Sequence, residues 1–137
     1  MSLTWVDGVA ADTVPADDRG LNYADGAFET LSCHEGGIQH EDLHRTRLTR
    51  ALSALGVTSA AEHSERLFEE AGRCLETAGY TGVARLTVTR GSGPRGYAPP
   101  APTQLRYILR ASARPNSSLS ALRCGIATTR WATQPQL

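Results

Sequence analysis

The 137-residue sequence contains no lysine: all 14 of its basic residues are arginine. Lysine is the side chain with which enzymes form Schiff bases, so no side chain here can form one. Carboxylates are missing from the second half. Residues 77–137 hold 8 arginines and no Asp or Glu, a formal charge of +8, whereas residues 1–76 hold 14 acidic residues and 6 arginines, a formal charge of −8. Cysteine is sparse, at Cys33, Cys74 and Cys124, with no CxxC pair. That spacing argues against a disulfide framework or a cysteine zinc site, and reduced thiols are expected. No apolar run approaches the ~20 residues of a membrane span. The start, MSLTWVDGVAAD, has neither the basic residues nor the apolar block of a secretory signal. A cytoplasmic location is expected, with no membrane partner.

What is present fits one globular domain. A chain of this size buries roughly 68% of its unfolded surface. A composition of 40% hydrophobic and 20% charged residues excludes wholesale disorder. The charge split implies either a basic surface for an anionic ligand or pairing of the two halves. No recognised nucleic-acid motif accompanies the positive half, so nucleic-acid binding is not expected.

Local pattern predicts the elements. LTWVDGV reads as a short strand, a turn at Asp7-Gly8 and a return. Residues 15–26 are rich in turn formers and read as a loop. AFETLSCHE follows as a strand, with Phe28, Thr30 and Ser32 on one face and Glu29, Leu31 and Cys33 on the other. Gly36-Gly37 makes a turn. A helix over about 40–55 buries Leu48, Ala51, Leu52 and Leu55. A second, over about 60–78, opens with a Ser59/Glu62 capping box and buries Leu67, Ala71, Cys74, Leu75 and Ala78. Three strands are predicted beyond it, at 82–89, 104–113 and 122–131. A long Gly/Pro loop spans 90–103, and loops of that length are often functional. The order gives an α+β domain, a largely antiparallel sheet with two helices packed on one side.

Two short motifs match without their required context. His40-Glu41-Asp42-Leu43-His44 fits HExxH, but it falls at a helix start and no third ligand is obvious. A helix-start histidine without metal is the expected outcome. Gly91, Gly93 and Gly96 fit GxGxxG, but Tyr97-Ala98-Pro99-Pro100 does not open a helix well. No acidic residue follows to hold a ribose.

Three segments in order carry more. They are Asp18-Arg19-Gly20-Leu21-Asn22-Tyr23-Ala24-Asp25-Gly26-Ala27-Phe28-Glu29-Thr30, His44-Arg45-Thr46-Arg47-Leu48, and Thr89-Arg90-Gly91-Ser92-Gly93-Pro94-Arg95-Gly96-Tyr97. Together they resemble the N-terminal part of the class IV (fold type IV) pyridoxal-phosphate enzymes. That family holds aminodeoxychorismate lyases and the branched-chain and D-amino-acid aminotransferases, and the RGxGxRGY loop is closest to the lyase branch. The resemblance runs from Trp5 to about Trp131.

The resemblance implies roles. Arg47 would bind the cofactor phosphate, where a guanidinium offers two parallel hydrogen bonds. On residues alone, Arg47 reads instead as a surface ion pair with Glu41 or Asp42, and it is the resemblance that reverses this. Tyr23 and Phe28 match positions lining the substrate pocket, and plain packing accounts for Phe28 as well. Arg95 and Tyr97 lie in the loop that helps bind substrate carboxylate, often in the neighbouring subunit of a homodimer. The lysine and the carboxylate that pyridoxal-phosphate chemistry needs come, in relatives, from a second domain. Residues 1–137 are therefore expected to be a single N-terminal domain that lacks the catalytic lysine and is inactive alone. Three functions remain open: pyruvate elimination from aminodeoxychorismate in folate biosynthesis, amino transfer on branched-chain or D-amino acids, and anion binding without catalysis.

Overall fold

The computed structural model describes residues 3–114, 121 and 123–129. In chain order the elements are β1 (Leu3–Val6), β2 (Val9–Ala10), α1 (Arg19–Tyr23), β3 (Gly26–His34), β4 (Gly37–Ile38), α2 (Glu41–Ala54), α3 (Ala60–Thr77), β5 (Gly82–Thr89) and β6 (Arg106–Ser112). The strands form one six-stranded antiparallel sheet in the order β2-β1-β6-β5-β3-β4. The expected α+β architecture is therefore present, and the first strand lies beside β6.

Alternation decides which sheet face is buried. Leu31 and Cys33 of β3, Leu86 and Val88 of β5, and Leu109 and Ala111 of β6 all point to one side and are at most 1% exposed. Leu48 and Leu52 of α2 and Leu67, Phe68, Ala71 and Leu75 of α3 share that core. The other face carries Phe28, Thr30, Arg85, Thr87, Ile108 and Arg110, at odds with none of the expected alternation. The β3–β4 hairpin turns at Glu35 and Gly36, both with positive φ. A Cβ on Gly36 would meet the Glu76 backbone, so glycine lets the hairpin lie against the end of α3.

Four expectations need correction. Residues 15–26 are not all loop. Asp18 caps α1 by accepting from the Gly20 amide at 2.8 Å, and Ala24 ends it in the left-handed conformation. Ser59 forms no capping box, because it sits at φ 53° and makes no side-chain cap hydrogen bond. Ala78 is exposed, while Phe68, absent from the expected stripe, is buried. Last, residues 121 and 123–129 form no strand, and the rest of the predicted 122–131 strand lies outside the described residues. Strand preference depends on packing against neighbours, and Ile126 is fully exposed.

Leu86 lies at the centre of the sheet and is fully buried. Leu86→Ala is expected to lower unfolding free energy by about 2–5 kcal/mol, read from urea denaturation. Thr87→Ala, on the opposite face of the same strand, is expected to cost under about 1 kcal/mol.

Candidate functional site

The segment before β3 is stapled to the strand ends beyond the helices by ion pairs between the two charge halves. Asp18 accepts from Thr89 Oγ1 at 2.9 Å and from Arg106 Nη1 at 2.6 Å. Asp25 takes two arginines: Arg19 Nε at 2.8 Å and Arg90 Nε at 2.9 Å. Arg19 and Arg90 are buried, as is Asp18. Burial alone would raise the Asp25 carboxyl, but hydrogen bonds from Arg19 and Arg90 and their charges outweigh it and hold it below the ordinary value. The charge split is thus partly internal pairing.

These pairs fix both ends of the Gly/Pro loop. Arg19 N–H donates to the Gly91 carbonyl at 2.8 Å. A Cβ on Gly91, at φ 76°, would collide with the Gln104 carbonyl across the loop's neck. Tyr23 reaches the same loop. Its hydroxyl accepts from the Gly96 amide at 2.9 Å, and its ring meets Tyr97 edge-on at 5.8 Å between centroids. Tyr23, Arg95 and Tyr97 therefore come together, with Tyr97 90% exposed and Arg95 exposed beside it.

Arg47 lies elsewhere, on α2. Its partner is neither Glu41 nor Asp42 but Glu29 of β3. Nε and Nη2 donate to the two carboxylate oxygens at 2.7 and 2.6 Å. Glu29 is 1% exposed and also faces His44 Nδ1 at 2.7 Å. Hydrogen bonding to Glu29, and its charge, raise Arg47 above the usual guanidinium value, so it stays cationic. Glu29 holds one edge of the guanidinium. Nη1 has no partner among the described residues, and the side chain is 66% exposed. That free, oriented edge fits a phosphate.

Phe28 forms a third group, on the open sheet face. Arg85 lies over its ring at 3.8 Å from Cζ to the centroid. Arg85 stands directly across from Arg110 in the β5–β6 register, with Thr30 and Thr4 continuing the row. Like charges directly opposite each other are destabilising, yet among the described residues no carboxylate pairs with either arginine. Both were missed by sequence reading. Strand alternation together with the acid-free second half is the signal that points to them. Among the described residues, no hydrogen bond, ion pair or ring contact joins the Arg47, Phe28 and Tyr23 groups.

The two short motifs do not form their sites. His44 is engaged with Glu29, His40 precedes α2 in the left-handed conformation, and no metal-holding cluster exists among the described residues. No helix follows Gly91-Ser92-Gly93 before β6. A cleft of about 580 Å³ between the β1–β2 hairpin and α3 contains none of the candidate residues.

With this geometry in view, the comparisons define a class. The chain belongs to the class IV amino-transferase family, whose pattern matches residues 26–137, and its fold is that of the N-terminal domain of fold type IV enzymes. Within the class the likeness leans one way. The chain is 29% identical over 98 residues to an aminodeoxychorismate lyase of Vibrio harveyi, covering 71% of this chain and 35% of that protein. It is 41% identical to the 4-amino-4-deoxychorismate lyase structure from Pseudomonas aeruginosa, with a TM-score of 0.77 over 84% of this chain and 41% of that one. The branched-chain amino acid aminotransferase of Escherichia coli, at 19% identity and a TM-score of 0.63 over 87% of this chain and 41% of its own, shares the fold. So does a hypothetical aminotransferase of Mycobacterium tuberculosis in its PLP-bound form, at 21% identity and a TM-score of 0.61 over 85% of this chain and 41% of its own. The chain thus spans about two-fifths or less of the length of these relatives. Among the described residues, no helix is long and apolar enough to cross a membrane.

Asp25→Ala would leave two buried guanidiniums without their shared anion. A loss of about 3–5 kcal/mol is expected on thermal or urea unfolding. The pH dependence has a defined sign. The folded carboxyl holds its proton more weakly than the ordinary 3.8 of the unfolded chain. Its stabilisation is therefore complete above that pH and is lost as pH falls through the folded value. Asp25→Asn should flatten that acid limb of the stability–pH curve.

Proposed function

We propose that residues 1–137 are the N-terminal domain of a pyridoxal-phosphate-dependent aminodeoxychorismate lyase, which eliminates pyruvate from 4-amino-4-deoxychorismate to leave 4-aminobenzoate. The observation that carries the reading is the Arg85–Arg110 pair on the open sheet face beside Phe28. Two adjacent guanidiniums with no internal carboxylate suit a substrate bearing two carboxylates and a planar ring. The 41% likeness to the Pseudomonas aeruginosa lyase supports the lyase reading.

The residues present fit part of the cofactor. Arg47, held on one edge by Glu29, offers its Nη1 edge to the phosphate, and its raised basicity keeps that edge charged. When bound, pyridoxal phosphate would supply an electron sink for charge that develops on the amine-bearing carbon. Arg85 and Arg110 bind and orient the carboxylates. Phe28 presents an apolar flank, and its ring holds Arg85 in place. The chain contains no lysine, so the amine that carries the cofactor must come from outside residues 1–137, and this chain alone is inactive. A homodimer in the cytoplasm, acting on a small dicarboxylate, completes the proposal.

The test uses the protein with whatever sequence follows residue 137. Aminodeoxychorismate should yield pyruvate and 4-aminobenzoate in equal amounts. Arg47→Ala should weaken pyridoxal-phosphate binding by about ten- to a hundred-fold, the worth of one charge-assisted phosphate contact. Amino transfer to a 2-oxo acid with no pyruvate released would favour the aminotransferase instead.

A further inference from the structure

Arg19 has the largest fully buried side chain of the described residues, at 1% exposure. An arginine placed so deep needs hydrogen-bond partners, and three are present. One is Asp25. The other two are backbone carbonyls of the Gly/Pro loop: Nη1 donates to Gly96 O at 3.0 Å and Nη2 to Tyr97 O at 3.1 Å. The stem is gripped as well, because a Cβ on Gly93 would stand 2.9 Å from Arg19 Cδ. The guanidinium also stacks over the Tyr23 ring at 4.7 Å, and the Tyr23 hydroxyl takes the Gly96 amide.

Both polar backbone groups of Gly96 and the carbonyl of Tyr97 are thus held from outside the loop. The side chains above that backbone are free. Arg95 is exposed with no partner among the described residues, and Tyr97 is 90% exposed. A stretch without secondary structure would ordinarily lose its ordering entropy only on binding a ligand. Here the backbone is ordered in advance and the side chains are left unspent.

We infer that Arg19 and Tyr23 are positioning residues that fix the tip of the 90–103 loop so that Arg95 is presented to an anionic ligand. This deepens the lyase reading and, for the ligand, rests on it. It also gives Tyr23 a second role, with its hydroxyl accepting from the loop backbone at Gly96.

Trypsin reads the loop directly. The chain has no lysine, so every cut reports an arginine, and the Arg95–Gly96 bond lies at the tip. In the full 137-residue chain, Tyr23→Phe keeps the ring and removes one hydrogen bond. It should speed cleavage after Arg95 about five-fold, the equivalent of one net hydrogen bond. Arg19→Gln, which adds no trypsin site, should speed it tenfold or more. Cleavage after Arg85 and Arg110, inside the sheet, reports global unfolding and should change far less. Unchanged cleavage at Arg95 in both variants, or a rise only in step with Arg85 and Arg110, would overturn the inference. In the protein with its following sequence, Tyr23→Phe should raise KM more than it lowers kcat, and should add little once Arg95→Ala is present. Full additivity would separate the clamp from Arg95. Should the lyase reading fail, the cleavage pattern still decides whether Arg19 and Tyr23 hold the tip.

Discussion

The loop part of the candidate site depends on Asp25 standing between Arg19 and Arg90. Two guanidiniums so close would repel each other and could not be buried without it. With the carboxylate in place, Arg90 also reaches the Leu55 carbonyl at the end of α2 and the Thr103 hydroxyl at the far end of the loop. One acidic residue from the first half therefore ties α1, α2, β5 and the Gly/Pro loop into one unit. Asp18 repeats the arrangement with Thr89 and Arg106. The opposite charges of the two halves are, at these points, the means by which the fold closes.

Pairing does not use up the positive half, and the remainder falls where a ligand could reach it. Arg85 and Arg110 lie on the sheet face that no helix covers among the described residues, and Arg95 lies on the loop tip. Arg47 is held by Glu29 through one edge only. The helices cover one face and leave the other to display cations that the fold itself does not neutralise. Such an arrangement is costly for an isolated chain and useful for one that binds carboxylates and phosphate.

Elements set by local periodicity were legible in the sequence. The alternation of Glu29, Leu31 and Cys33 gave β3 its buried face, and Leu67, Ala71 and Leu75 gave α3 its stripe. Features set by contacts between distant segments were not. Arg47 reads as a partner of Glu41 or Asp42 because helix spacing makes those near, yet the partner is Glu29, 18 residues earlier and on a strand. The short helix α1 depends on Asp18, whose second oxygen is held by Thr89 and Arg106 from the other half of the chain. The Ser59 capping box failed on backbone conformation, which the pattern of side chains does not reveal. Residues 123–129 read as part of a strand, but all are exposed and form none. The ordered motifs supplied the family where periodicity could not, because they combine residues from all of these distant segments.

The central claim is that these residues supply the anion-binding part of a site whose amine lies elsewhere. Reading the coding sequence beyond codon 137 tests it most directly. The account predicts an in-frame continuation that encodes a lysine within a short distance and a carboxylate after it. A stop codon directly after Leu137 would contradict it.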